Sequence, residues 1–151
     1  MNEMEKSIYD AVMADHQYVV DLRRYFHMNP ETAKEEFGTA KRIEEELDKL
    51  GIEHKRVGDT GVYAEIKGEL TGDKTIVLRA DIDALDVEEA HECPYKSTIP
   101  GKMHACGHDA HAAALVGAAR ILSANKDKFG GTVRFTFQQG EEIGYGARLF
   151  V

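Results

Sequence analysis

An α/β fold, with a mostly parallel central sheet flanked by helices, is predicted by three observations. The N-terminal third carries apolar side chains at helical spacing, and the segments after residue 51 switch to short β-prone runs. From residue 75 onward, strand, helix and strand follow one another, the order of a βαβ unit with parallel strands and a right-handed crossover.

Residues 3–28 read as one long amphipathic helix, with Ile8, Val12, Tyr18, Val19, Leu22 and Phe26 at near-helical spacing. Asn29-Pro30 stops it, because proline disfavours helical backbone in the residue before it. A second helix over 35–50 carries Phe37, Ala40, Ile43, Leu47 and Leu50 on one face and ends at Gly51, a residue suited to the left-handed C-terminal position. Its Glu44-Glu45-Glu46 run reads as a solvated face. Residues 52–57 and 62–66, divided by Gly58-Asp59-Thr60-Gly61, have the grammar of a hairpin, and 68–74 reads as a further turn. Residues 75–79 are nearly continuously apolar, the pattern of a central strand buried on both faces, and run into Ala80-Asp81-Ile82-Asp83. An irregular stretch, 86–102, leads to a Cys/His cluster and a helix over 109–124. A turn at 128–131 and a strand at 132–137 then precede Gln138-Gln139-Gly140-Glu141-Glu142, and 144–151 reads as the first turns of another helix.

The chain of 151 residues is long enough for one ordinary domain. Its 19 Lys and Arg against 27 Asp and Glu leave a net charge of -8, with the basic residues scattered among acids, which argues against a nucleic-acid partner. The opening Met1-Asn2-Glu3-Met4-Glu5-Lys6 is acidic and lacks an apolar signal core, and no apolar run reaches membrane-spanning length. A cytoplasmic protein without a membrane partner is the expectation. Cys93 and Cys106 could form at most one disulfide, and reduced thiols are the default reading there, leaving Cys106 free to bind a metal.

The chemistry concentrates in residues 104–111, where His104, Cys106, His108, Asp109 and His111 fall just ahead of an alanine-rich helix. Thiolate and imidazole are good donors for Zn²⁺ and similar cations, and Gly107 allows a tight turn between Cys106 and His108. A small buried cysteine with helix-capping histidines is the plainer reading of that stretch. Topology strengthens the metal reading, because sites in open α/β sheets form beyond the carboxyl ends of the strands. The pairs Asp81/Asp83 and Glu141/Glu142 both follow strands, and the Cys/His loop precedes the crossover helix, so one rim gathers all of them. Such a rim could activate water for attack on an amide, with one glutamate on the metal and its neighbour moving the proton. Position alone leaves open which glutamate takes which part.

Three strings carry a resemblance: L-R-A-D-I-D-A-L at 78–85, M-H-A-C-G-H-D-A-H at 103–111 and G-T-V-R-F-T-F-Q-Q-G-E-E at 131–142. Together they resemble the N-acyl-amino-acid amidohydrolases, the hippurate hydrolase or aminoacylase-like branch of the dinuclear zinc metallopeptidases. Arg23-Arg24, His27, Pro30, Glu31 and Glu35 resemble the segment that opens the catalytic domain there. The resemblance implies a zinc-peptidase-like sheet, incomplete at the C-terminus, and two divalent ions per complete site, Zn²⁺ or Mn²⁺. It implies Cys106, His108 and Glu142 as metal ligands and Glu141 as the general acid/base. Asp81, Asp83, His104, Asp109 and His111 are then supporting or further possible ligands. By the same resemblance, residues 1–151 are the N-terminal portion of the catalytic domain, without the lid or dimerisation domain and without two downstream histidine ligands. The implied substrate is a small N-acyl amino acid, and a homo-oligomer is left open only for a full-length form. The chain departs from the pattern at Asp86, where a proline usually stands, and at Gln139-Gly140, where proline-alanine is usual. A non-catalytic remnant binding metal or a partner is the alternative reading, and a cysteine hydrolase built on Cys106 is a third.

Overall fold

The computed structural model describes residues 2–151; residue 1, part of the acidic opening stretch, lies outside the described residues. Helix α1 spans Glu3–Met28 and opens with a capping box, in which the Asn2 side chain accepts the Glu5 N–H at 2.8 Å and the Glu5 carboxylate accepts the Asn2 N–H at 2.9 Å. Only its second half packs as the helical spacing predicts. Leu22 and Phe26 are buried with Tyr18 and Val19 against the core, whereas Ile8 and Val12 stay close to half exposed.

Helix α2, Phe37–Lys49, buries Ala40, Ile43 and Leu47, and Gly51 follows it in the expected left-handed conformation at φ +65°. Phe37, expected on the buried face, lies at the helix start and is 56% exposed. The acidic run is likewise not a uniform solvated face. Glu46 is buried and accepts hydrogen bonds from Tyr18 Oη at 2.7 Å, Arg42 Nε at 2.8 Å and Lys49 Nζ at 2.8 Å. Glu44 pairs with Arg56, so Glu45 is the one member left mainly to solvent.

Strands β1 (His54–Val57) and β2 (Gly61–Lys67) form the expected hairpin. Strand β3 covers Leu70–Asp81, helix α3 His108–Ser123 and strand β4 Gly130–Gln138. The sheet order is β1-β2-β4-β3, with β3 and β4 parallel and the other neighbours antiparallel, so the α/β sheet is mixed. The pairs Val62 with Phe137, Ala64 with Phe135 and Ile66 with Val133 put one apolar face under the three helices. Tyr63, Glu65 and Arg134 occupy the opposite face.

Two expectations for β3 are corrected. The strand begins at Leu70, so the turn shrinks to Gly68-Glu69, and a register shift between Leu70 and Thr75 absorbs the extra residues. Among the described residues β3 pairs only with β4, which makes it an edge strand; Ile76 and Val77 are 58% and 57% exposed. A continuous apolar run encodes a preference for cover without encoding which element supplies it. The stretch 144–151 forms a single 3₁₀ turn, Ala147–Leu149, in place of a helix, because Gly144 takes φ +62° and breaks the start. No helix among the described residues is long and apolar enough to cross a membrane.

Candidate metal centre

The carboxyl ends of β3 and β4 lie side by side, since Asp81 pairs with Gln138 in the parallel register. The chain leaving β3 delivers Asp83, the chain leaving β4 delivers Glu141 and Glu142, and α3 begins at His108 beside both. Gly107, at φ +81°, makes the turn into α3 in a backbone conformation that other residues rarely adopt.

Asp83 organises this rim. It is 1% exposed, its Oδ2 accepts the Glu142 N–H at 3.0 Å, and its Oδ1 lies 3.3 Å from His108 Nδ1. His108 Nδ1 also contacts the Asp83 carbonyl at 2.9 Å, which commits that nitrogen to donation. The other nitrogen, Nε2, then faces Glu141 Oε2 at 3.8 Å and Glu142 Oε1 at 3.9 Å. Burial pushes the Asp83 carboxyl up, but the His108 ring and the Glu142 and Glu141 N–H groups outweigh it and hold the group below its usual range. In return Asp83 raises His108 to about 9 against the cost of burial.

The site is strongly negative, and the field that favours a proton on His108 favours a divalent cation as well. One structural observation tests the fit of such an ion. Glu142 Oε1 is buried without a hydrogen-bond partner, a costly state for a carboxylate oxygen, and it points toward the one His108 nitrogen that is not held by Asp83. His108, Glu141 and Glu142 offer atoms close enough together to share one ion. Cys106, exposed at the rim, lies beside Glu142, whose carboxylate holds its thiol above the ordinary range. A thiol raised in this way lacks the positive neighbour that a free thiolate nucleophile needs, and Cys106 lies outside the cation grouping formed by His108, Glu141 and Glu142.

The remaining predicted residues separate into two groups. Asp81, His108 and His111 form a second possible cation grouping, with His111 Nδ1 3.7 Å from Asp81 Oδ2, although Arg79 already pairs with Asp81 at 2.5 Å. His104 and Asp109 lie behind the rim. Asp109 is buried; its Oδ2 forms an ion pair with Arg23 Nε at 2.8 Å and is hydrogen-bonded to His27 Nδ1 at 2.6 Å, while His27 Nε2 reaches Glu89 at 3.1 Å. His104 is buried with neither ring nitrogen hydrogen-bonded, and burial lowers it to about 4.

One residue at the rim was missed by sequence reasoning. Glu36 is fully buried and binds the Gly140 N–H at 2.8 Å, directly before the two glutamates. Its neighbour Glu35, singled out by the resemblance, is instead exposed and paired with Lys102. Two adjacent acids before a helix carry no local signal for which of them turns inward.

Residues 77–151 match peptidase family M20/M25/M40. The chain is 47% identical over 136 residues to IAA-amino acid hydrolase ILR1-like 5 of Arabidopsis thaliana, covering 89% of this chain and 31% of that protein. It is 48% identical over 130 residues to N-acetyl-L-cysteine deacetylase of Bacillus subtilis, covering 85% of this chain and 31% of that protein. Among solved structures it resembles the Bacillus subtilis YXEP protein, a dinuclear metal-binding peptidase of the M20 family, with a TM-score of 0.86 and 44% identity. That match covers 91% of this chain and 39% of the other. The chain thus spans about a third of the length of the curated relatives it matches. The three ordered motifs, the rim they build and these likenesses agree, and residues 77–151 carry a domain of the M20/M25/M40 peptidase family.

Proposed function

We propose that the rim serves a metal-dependent amidohydrolase that cleaves the amide bond of small N-acyl amino acids. The observation that carries this reading is the division between two adjacent glutamates. Glu142 is 19% exposed and turns a buried, unpartnered oxygen toward His108, whereas Glu141 is 39% exposed and opens to the rim. His108, Glu142 and Cys106 would hold a divalent ion such as Zn²⁺ or Mn²⁺, with two ions in a complete site. Bound there, the ion would supply Lewis acidity toward water and the amide carbonyl. Glu141 would accept the proton released by the attacking water and return it to the departing amine nitrogen. Asp83 keeps the His108 ring oriented and fixes the Glu142 backbone, so the donors stand in place before substrate arrives. The relatives' printed names, a hydrolase of IAA-amino acids and a deacetylase of N-acetyl-L-cysteine, support the substrate class.

The test combines metal content with turnover of a panel of N-acyl amino acids, with and without added Zn²⁺ or Mn²⁺. Glu141→Gln is expected to abolish turnover and spare metal uptake, while Cys106→Ala and Glu142→Ala weaken metal uptake itself. Equal metal loss in all three variants would overturn the assigned roles. The exposed apolar edge of β3 favours a second reading, a partner-binding remnant without turnover, and chelator-sensitive hydrolysis by this chain would exclude it.

A further inference from the structure

The glutamate pair sits on a turn that has little intrinsic stiffness. Gly140 takes φ +57° and Gly144 φ +62°, and the turn closes on itself through the Gly144 N–H to the Glu141 carbonyl at 2.8 Å and the Tyr145 N–H to the Gly140 carbonyl at 2.9 Å. Two buried carboxylates distant in sequence tie it to the rest of the molecule, Asp83 from the β3 side and Glu36 from the α2 side. Glu36 is fully buried at the start of α2, and its two oxygens are both used: Oε1 accepts the Gly140 N–H at 2.8 Å, and Oε2 accepts the Thr60 hydroxyl at 2.7 Å. Nearby, Lys34 adopts φ +71°, unusual for a residue with a side chain, and places its ammonium 4.5 Å from the Tyr145 ring. The loop before α2 therefore holds the far end of the turn as well.

We propose that Glu36 is a positioning residue, whose buried carboxylate holds the Glu141–Glu142 turn in register with His108. Its consequence for turnover rests on the function proposed above, but the anchoring itself does not. Asp83 fixes Glu142 from the β3 side and Glu36 fixes Gly140 from the α2 side, so the intervening Glu141 is suspended between two buried carboxylates. With one anchor gone, Gly140 can rotate, and the carboxylates lose the geometry that the other anchor alone cannot enforce.

The experiment measures amide hydrogen exchange of the chelator-treated chain, with the β4 amide of Phe135 as a reference for global opening, and then titrates each protein with Co²⁺. Glu36→Leu leaves a buried N–H and a buried hydroxyl without a partner, and is expected to speed Gly140 exchange at least about tenfold while Phe135 stays protected. Glu36→Gln can still accept from Gly140 and donate to the Thr60 oxygen, so it should restore wild-type protection, a rescue that a general packing role would not require. Glu36→Asp draws the carboxylate back by one methylene and should move exchange in the same direction as leucine, which guards against a leucine variant that does not fold. Co²⁺ affinity should fall by about tenfold in the leucine variant and recover in the glutamine variant. Gly140 protection that survives in the leucine and aspartate variants would overturn the proposal, as would lost protection with unchanged Co²⁺ affinity. A wild-type chain that takes up no Co²⁺ would instead overturn the functional reading, and the exchange comparison would still decide whether Glu36 holds the turn.

Discussion

Replacing His104 by leucine should change how the protein responds to acid more than how stable it is at neutral pH. The ring is buried, neither nitrogen has a hydrogen-bond partner, and burial holds it near 4 in the folded protein against 6.5 for an ordinary histidine. Above pH 6.5 neither the folded nor the unfolded chain binds a proton there, so the residue costs nothing in linkage. As the pH falls from 6.5 to 4 the unfolded chain takes up the proton while the folded one does not, and stability is lost. The full shift corresponds to about 3 kcal/mol, of which about 2 kcal/mol is already gone at pH 5. His108 has its shift in the opposite direction, to about 9, so its contribution is complete below pH 6.5, declines as the pH rises to 9, and does not disturb this window. Urea unfolding of chelator-treated wild type and His104→Leu, followed by circular dichroism at pH 7.5, 6 and 5, separates the effect from the carboxylates common to both proteins. The variant should lie close to wild type at pH 7.5 and gain on it by about 2 kcal/mol at pH 5. Parallel pH profiles would refute the reasoning and mean that the folded protein accepts a proton on His104.

Three further outcomes follow from particular contacts. Phe135→Ala, at a fully buried strand position, should lower stability by about 3–5 kcal/mol in urea unfolding, the cost of lost contacts and a residual cavity. A Cβ at Gly61 would run into the Gln139 amide and lie 2.7 Å from the Val57 carbonyl, so Gly61→Ala should cost at least about 1 kcal/mol in the same assay. Glu142→Gln should speed iodoacetamide labelling of Cys106 several-fold at pH 8, read by mass spectrometry against Cys93, because Glu142 is the main cause of the raised thiol.

The parts of the fold legible in the sequence were those written in local pattern. Helical spacing located α1 and α2, Gly51 marked the end of α2, and the β-prone runs around residues 58–61 marked the hairpin. The rim was legible because Asp83, His108 and the glutamates each stand at the end of an element, where topology alone brings them together. What local pattern did not show was pairing across long separations. Glu46 reads as a surface acid until Tyr18 and Arg42 are seen to enclose it, and Asp109 reads as a supporting group or further ligand until Arg23 and His27 are seen to hold it. The edge position of β3 and the inward turn of Glu36 have the same origin, since each depends on a neighbour that the residue's own segment does not specify.

The rim's construction also bears on the order of events during folding. Its bonds join residues far apart in the chain: Glu142 to Asp83 across 59 residues, and Gly140 to Glu36 across 104. Neither can close until β4 has joined the sheet, a step that carries a loop-closure cost, whereas the hairpin and the helices can form from nearby residues. A cation captured at the rim would therefore meet a chain whose topology is already complete. Its uptake would report the end of folding and stabilise the finished molecule by mass action, without guiding the earlier steps.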